Sequence, residues 1–212
     1  MKKKIPSALR SRAARPGTAN EVRIIGGEWR GRRLRLAPGA AIRPTPDRVR
    51  ETLFNWLQPV IAGARCLDLF AGSGALGIEA LSRGAREVVF VDRDPRVARQ
   101  IRTALADLGV AEPQVQVSEA LRFLRRDALP FDVVFLDPPF ASGLLAPACT
   151  LLEERGWLEE RALVYLETAH RDGAPALPAG WRILKSGRAG EVGYYLAERG
   201  AERPQEEGEP AP

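Results

Sequence analysis

Between residues 65 and 167 short apolar runs alternate with stretches of helical periodicity, and this alternation decides the fold class. Arg65–Phe70, Glu87–Asp92, Val115–Val117, Phe131–Asp137 and Ala162–Glu167 read as strands, the first of them buried. Ala75–Arg83, Pro95–Leu108, Glu119–Arg126 and Leu144–Arg155 read as the helices between them, with Gly109 a stop for the second. Repeated βαβ units of this kind predict an α/β, doubly wound, mostly parallel sheet with helices on both faces. Trp181–Lys185 and Val192–Ala197 read as a closing antiparallel pair of C-terminal strands.

The flanks read differently. Val22–Leu36 carries two alternating runs around Gly26, Gly27 and Gly31, which predicts a small N-terminal β-hairpin. Pro38 to Pro46 reads as a loop, and Thr45-Pro46-Asp47 starts a helix, with Thr45 its expected cap. Val49, Leu53, Phe54, Trp56 and Leu57 supply its apolar face to about residue 58. The predicted organisation is a disordered basic arm over 1–21, a hairpin-and-helix extension over 22–58, the main domain over 59–197, and a frayed tail over 198–212.

A chain of 212 residues allows one full domain with an appendage, and its core needs no staples. No apolar run approaches the roughly 18 residues that span a bilayer, so no membrane partner is expected. The basic opening lacks an apolar stretch behind it, which makes a soluble cytoplasmic protein the expectation. Cys66 and Cys149 lack ligand spacing and His170 is the single histidine, so a zinc site, a disulfide framework and histidine-based nucleophilic chemistry are not expected. Cys66 reads as a small buried hydrophobe, Trp56 as core and His170 as surface.

Charge is unevenly placed. The net charge is +5, yet residues 1–50 carry 14 Lys/Arg against 3 Asp/Glu, and the remainder is net negative. A basic arm on a mildly acidic domain points to a polyanion, because Arg and Lys neutralise phosphates and release counterions.

The first strand runs into Asp68-Leu-Phe70-Ala-Gly72-Ser73-Gly74-Ala-Leu-Gly77 and then a helix. Glycines here let a backbone approach a ligand, and Asp92, 20 residues after Gly72, stands where an acid can accept both hydroxyls of a ribose. NAD-like dinucleotides and S-adenosylmethionine both fit that spacing. Asp68 favours the second, since a carboxylate would repel a pyrophosphate and attract a cationic amino-acid end. Asp68 as a cap of the following helix, and Asp94 in place of Asp92, stay open. Arg93 lies beside them, and Ser118, Glu119 and Ala120 end the third strand, where a polar pair can face an adenine or simply begin a helix.

Asp137-Pro138-Pro139-Phe140 follows the fourth strand. Two prolines cannot join a sheet ladder, so they fix a rigid turn at the carboxyl end of the sheet, where open α/β sheets bind ligands. An acid, a free carbonyl and a ring suit a planar exocyclic amine. The Asp137 carboxyl and the Pro138 carbonyl accept its two N–H bonds, and Phe140 stacks on the base. No metal is needed.

The glycine loop and Asp137-Pro-Pro-Phe together resemble an amino methyltransferase of the Rossmann-like class I S-adenosylmethionine fold. Arg23-Ile-Ile-Gly-Gly-Glu-Trp-Arg-Gly-Arg-Arg-Leu34 and Arg43-Pro-Thr-Pro-Asp-Arg-Val-Arg-Glu-Thr-Leu-Phe-Asn-Trp-Leu57 narrow this to the RsmD family of bacterial 16S rRNA guanine-N2 methyltransferases. The similarity runs from about residue 22 to 197. It implies S-adenosyl-L-methionine as cofactor and methylation of N2 of one guanine, the guanine 966 site of that family, in 16S rRNA on an assembling 30S subunit, by a monomer. By residue match it implies cofactor contacts from Asp68, Phe70, Gly72, Ser73, Gly74, Asp92, Arg93, Ser118, Glu119 and Ala120. The target base would meet Asp137 to Phe140. The family usually has Glu where this chain has Asp92, and often Gly-Asp where it has Ser118-Glu119.

Arg23, Arg30, Arg32, Arg33, Arg43, Arg48 and Arg50 are candidate RNA contacts, Arg48 pairing with Glu51 being the other reading of that helix. Trp29 stacks on an unpaired base or packs in the hairpin. Other amino methyltransferases, acting on another RNA or on adenine in DNA, an NAD-dependent oxidoreductase, and a non-catalytic RNA-binding or assembly factor on a decayed enzyme fold are the competing classes. The oxidoreductase gives no role to Asp68 or to Asp-Pro-Pro-Phe, and the intact Asp137 turn speaks against decay. If the arm holds rRNA, deleting residues 1–21 weakens subunit binding and flattens its salt dependence, measured as the slope of log affinity against log salt. An unchanged slope assigns the arm to solubility.

Overall fold

The computed structural model describes residues 21–35 and 45–200. The basic arm up to residue 20, Arg43 and the tail from 201 lie outside the described residues. A seven-stranded sheet forms the centre, in the order β5 (Gln114–Val117), β4 (Glu87–Asp92), β3 (Arg65–Asp68), β6 (Phe131–Leu136), β7 (Leu158–Ala169), β9 (Val192–Glu198) and β8 (Arg182–Ala189). The pairs from β5 through β7 are parallel, and β9 pairs antiparallel with both β7 and β8. A separate antiparallel hairpin joins β1 (Glu21–Arg23) to β2 (Arg33–Arg35). The doubly wound sheet, its closing antiparallel pair and the hairpin all stand as expected. Chain order reverses at β3, which has β4 on one side and β6 on the other, and this reversal opens the crevice at the carboxyl end of the sheet.

Two apolar layers clothe the sheet. One holds the hairpin's Val22, Ile24 and Leu34, helix α1 (Asp47–Leu57), α2 (Ala75–Ser82) and α3 (Pro95–Asp107). The other holds α4 (Ala120–Phe123) and α5 (Leu145–Glu154), with Trp157 stacked on Phe131 at 6.0 Å between ring centroids. Helix α3 buries one stripe, Val97, Ala98, Ile101 and Leu105, and turns its arginines to solvent. Helix α2 has no solvent stripe. Seven of its eight residues are buried, including Glu79 and Ser82, because the hairpin covers its outer side.

The cover is held by hydrogen bonds. The Glu79 carboxylate accepts the backbone N–H groups of Ile25 and Gly26, each at 2.8 Å, and the Arg83 Nε at 2.8 Å. Trp29 donates its backbone N–H to the Ser82 hydroxyl, which in turn donates to the Gly26 carbonyl. Arg50, 1% exposed, reaches the same cluster from α1. Its guanidinium donates to the carbonyls of Arg23 and Thr45 and to Asp47, and lies 3.6 Å from Glu79.

Several expectations change. Arg50 is not an RNA contact but a buried tie between hairpin, α1 and α2. Thr45 caps no helix; Pro46 occupies the cap position of α1, and the Thr45 hydroxyl turns to the sheet. Arg48 and Glu51 are both exposed, and no ion pair joins them among the described residues. The first strand ends at Asp68, and the third helix is cut to Ala120–Phe123. Strand β7 begins earlier than expected, at Leu158, and absorbs a register shift around Arg161, which adopts φ 63°. The C-terminal strand includes Glu198, and Arg199 binds Glu153 at 2.9 Å, so the tail does not start at 198. Glu21, assigned to the arm, pairs with Arg35 in the hairpin. His170 is exposed, Cys66 is buried, and Trp56 is a half-buried edge of the core, 5.6 Å from the Tyr194 ring.

Removing Arg50 strips the carbonyls of Arg23 and Thr45 of a donor and takes one of two cations from the buried Glu79 carboxylate. Arg50→Ala is therefore expected to cost about 3–5 kcal/mol. That is a fall in melting temperature of roughly 10 °C for a chain of this size. A thermal melt within a degree of the parent would show that Arg50 does not hold the hairpin.

Candidate functional site

The carboxyl ends of β3, β4, β5 and β6 bring the two sequence motifs to one edge of the sheet. Asp68 closes β3, and its carboxyl accepts the backbone N–H of Gly77 at 3.0 Å, so it does cap the first turn of α2. The loop between them needs its glycines for two reasons. Gly72 and Gly74 adopt positive φ, 51° and 74°, and a Cβ on Gly77 would stand 2.3 Å from the Phe90 ring. The first two therefore shape the turn, and the third lets α2 lie against β4. Ser73 is buried, its hydroxyl accepting the N–H of Ala75, and Phe70 is half-buried against the second apolar layer.

Asp92 closes β4 and is held in place by backbone. One oxygen accepts the Gly72 N–H at 3.0 Å and the other the Asp94 N–H at 2.8 Å, tying the strand end to the glycine loop. Asp94 is committed elsewhere: it caps α3 through the Arg96 N–H and pairs with the Arg96 side chain, whose hydrogen bonds hold its carboxyl down at about 2. Of the two candidates for a ribose, Asp92 is the one aimed at the loop. Arg93 beside it is exposed. Ser118 is buried and donates its backbone N–H to the Asp92 carbonyl, and its hydroxyl donates to the Glu119 carbonyl. Glu119 is exposed, and Ala120 begins α4.

Asp137 follows β6, with Pro138 buried and Pro139 and Phe140 turned outward. Phe140 is 46% exposed, a large ring offered to solvent at the lip of the sheet. A cleft of about 290 Å³ opens beside this turn, lined by Pro138, Pro139, Phe140, Leu144, Glu167 and Ala174, among others.

Two neighbours, Glu167 and Thr45, complete this side of the site; Glu167 carries no role in the sequence motifs, and Thr45 was expected only as a helix cap. Glu167 of β7 is 4% exposed; the Thr45 hydroxyl donates to it at 3.0 Å and the Tyr165 hydroxyl at 2.7 Å. Thr45 also lies 3.5 Å from Asp137. Burial, followed by the nearby charges of Glu167 and Asp68, raises the Asp137 carboxyl well above the ordinary carboxylate range. Burial also raises Glu167, against the hydrogen bonds of Tyr165 and Thr45, and pushes Asp68 up to about 7, against the bond from Gly77. The signal for Glu167 is an acid two residues after Tyr165 in an otherwise apolar strand, hence on the same face.

The basic candidates lie on the hairpin and in the first turn of α1. Arg23, Arg30, Arg32, Arg33 and Arg48 are exposed. Arg32 donates to the Asp107 carbonyl at the end of α3, and Arg33 pairs with Glu21 at 3.0 Å. Trp29 is half-buried and packs against the first apolar layer. Among the described residues no cluster of His, Cys, Asp or Glu is fit to hold a metal ion, and no helix is long and apolar enough to cross a membrane.

Comparison with known proteins narrows the identity. The family model described as Conserved hypothetical protein 95 matches residues 22–198. The ribosomal RNA small subunit methyltransferase D of Escherichia coli strain K12 is 48% identical over 184 residues, 87% of this chain and 93% of that protein. The protein of the same name from Haemophilus influenzae is 47% identical over 185 residues, 85% of this chain and 95% of that one. A solved E. coli structure, described as a putative methyltransferase, yhhF, superposes with a TM-score of 0.80 at 47% identity, covering 86% of this chain and 99% of that one. A switch-point glycine loop, an acidic elbow on the neighbouring strand, and identity of this extent over nearly the whole of these relatives place the chain in the RsmD family of rRNA small-subunit methyltransferases.

Proposed function

We propose that this methyltransferase moves a methyl group from S-adenosylmethionine to the exocyclic N2 of one guanine of 16S rRNA within an assembling 30S subunit. The observation that carries the reading is the placement of the Asp137-Pro138-Pro139-Phe140 elbow one strand away from the glycine loop, with the carboxyls of Asp68 and Asp92 on the loop's side. The donor supplies an electrophilic methyl on a sulfonium.

The residues present suit that donor. Positive φ at Gly72 and Gly74 turns the loop at the end of β3, and a Cβ on Gly74 would press on Ile101 and Ile78. The Asp92 carboxylate, fixed by two backbone N–H groups, keeps acceptor capacity for ribose hydroxyls. Asp68 provides the negative end for an ammonium, and Ser118 and Glu119 border the adenine side. On the other side of the elbow, Asp137 and the Pro138 carbonyl orient the N2 amine while the exposed Phe140 ring takes the face of the flipped base. Flipping costs a few kcal/mol, which a stacking ring helps to offset. The exposed arginines of the hairpin and Arg48 of α1 are the candidate phosphate contacts, with Arg43 and the arm outside the described residues.

Three experiments follow. Labelled donor and hypomethylated 30S subunits, with the label mapped by mass spectrometry, should place it on guanine N2; label on adenine N6, or on naked DNA alone, would assign another amine substrate. Asp137→Ala should abolish transfer and leave S-adenosylhomocysteine binding within about twofold, and preserved turnover would mean that another group orients the base. The third test concerns Asp68. With its carboxyl near 7, a cationic ligand must draw it into the charged form, so binding releases protons and strengthens as pH rises. Affinity for S-adenosylhomocysteine should increase about tenfold between roughly pH 6 and 8, and Asp68→Asn should weaken binding and remove the slope. A flat profile in the parent would separate Asp68 from the ligand's ammonium.

A further inference from the structure

Register sets Glu167 beside the elbow. Leu136 of β6 and Leu166 of β7 are partners in a parallel ladder, so the next residues, Asp137 and Glu167, stand side by side on the same face. Adjacent strands are about 4.8 Å apart, and the Thr45 hydroxyl lies against both carboxyls, 3.0 Å from Glu167 and 3.5 Å from Asp137. Glu167 also lines the cleft that Pro138, Pro139 and Phe140 border. Hydroxyl donors converge on one Glu167 oxygen: Thr45 from the segment before α1 and Tyr165 from its own strand. Asp68 of β3 faces the pair as a further acid, and Tyr194 of β9 approaches Tyr165. No Arg or Lys among the described residues figures in the electrostatics of either carboxyl.

Two acids at neighbouring strand ends, Glu167 buried and Asp137 half-buried, share one proton more readily than they carry two charges. The hydroxyls aimed at Glu167 favour its ionised form, which leaves Asp137 the neutral member with its O–H directed at its neighbour. A neutral Asp137 still offers its carbonyl oxygen to an amine N–H.

Resting on the guanine-N2 reading above, we propose that Glu167 is a positioning residue that acts through Asp137: it fixes the orientation of the elbow carboxyl and is the final acceptor of the proton that N2 gives up. The balance is complete within the site. The N2 lone pair forms the N–C bond while the S–C bond breaks and leaves its electrons on sulfur. The N2 proton passes to the Asp137 carbonyl oxygen, and the Asp137 O–H proton passes to Glu167. A sulfonium and a carboxylate at the start become a thioether and a carboxylic acid, so no net charge is left in the buried site. The methylated guanine departs neutral, and Glu167 returns its proton to solvent between turnovers.

The test is Glu167→Gln, which keeps the shape of the side chain and its capacity to accept from Tyr165 and Thr45. Unchanged melting temperature and S-adenosylhomocysteine affinity establish that the variant is folded. The single-turnover methylation rate should fall roughly 100-fold, and the acid limb of its pH profile, which in the parent follows protonation of Glu167, should change position because only Asp137 of the pair remains to titrate. A loss of packing alone would lower the rate without moving the limb. A parental rate, or a reduced rate with an unmoved limb, overturns the proposal. Infrared spectra of the ligand-free protein give a readout independent of turnover. The difference between parent and Asp137→Asn at neutral pH should contain a protonated-carboxyl band, and its absence would overturn the relay even if Glu167→Gln does not fold. A parent protein that places no methyl on guanine N2 would instead remove the reading beneath it, while the infrared band would still report on the acid pair.

Discussion

The buried carboxylate of Glu79 is the point through which the N-terminal segment and the methyltransferase sheet become one body. A carboxylate at this depth is tolerated only with a full set of donors. It obtains them from two backbone N–H groups of the hairpin loop, from Arg83 one turn further along its own helix, and from the guanidinium of Arg50 nearby. Satisfying that charge fixes where the hairpin sits on α2 and where α1 begins. The same helix α2 starts at the glycine loop, so the cofactor side of the crevice and the basic hairpin are positioned by opposite ends of one eight-residue element.

Arg50 extends the chain of dependence to the acids of the site. By donating to the Thr45 carbonyl it holds the residue whose hydroxyl reaches Glu167. Thr45 thus links the segment before α1 to the strand ends of β6 and β7. Among the described residues every buried side-chain nitrogen or oxygen has a hydrogen-bond partner, and the Thr45–Glu167–Tyr165 group is a small, fully engaged example. Such networks fix geometry more than they add stability, which is what an in-line transfer requires of the groups around it.

What could be read from the chain alone follows from which interactions are local. Strands β3, β4 and β6 announce themselves as apolar runs, and Gly72, Gly74 and Asp137-Pro138-Pro139 announce backbone geometry that few residues can adopt. Their meeting at one sheet edge follows from βαβ topology. Arg50 misled because an arginine on an amphipathic helix reads as a solvent-facing charge, and its partner Glu79 lies 29 residues away on a helix that the hairpin covers. The place of Glu167 was hidden for a related reason: its neighbour relation to Asp137 arises from strand register, which neither strand encodes separately. Strand β8 runs past the apolar stretch that ends at Lys185, because Ser186, Gly187 and Arg188 lack apolar character yet pair with β9, and Gly187 is where the Tyr194 ring lies against the backbone.

The sheet ends in two different ways. At one margin β5 has only four residues. At the other, β8 places Arg182, Lys185 and Arg188 in solvent along a strand whose outer backbone groups have no ladder partner in the sheet. A short margin and a positively charged one both discourage another strand from adding on. The positive charge that disfavours a further strand at β8 is of the sign that attracts polyphosphates, so the feature that discourages backbone pairing at this border favours anions there.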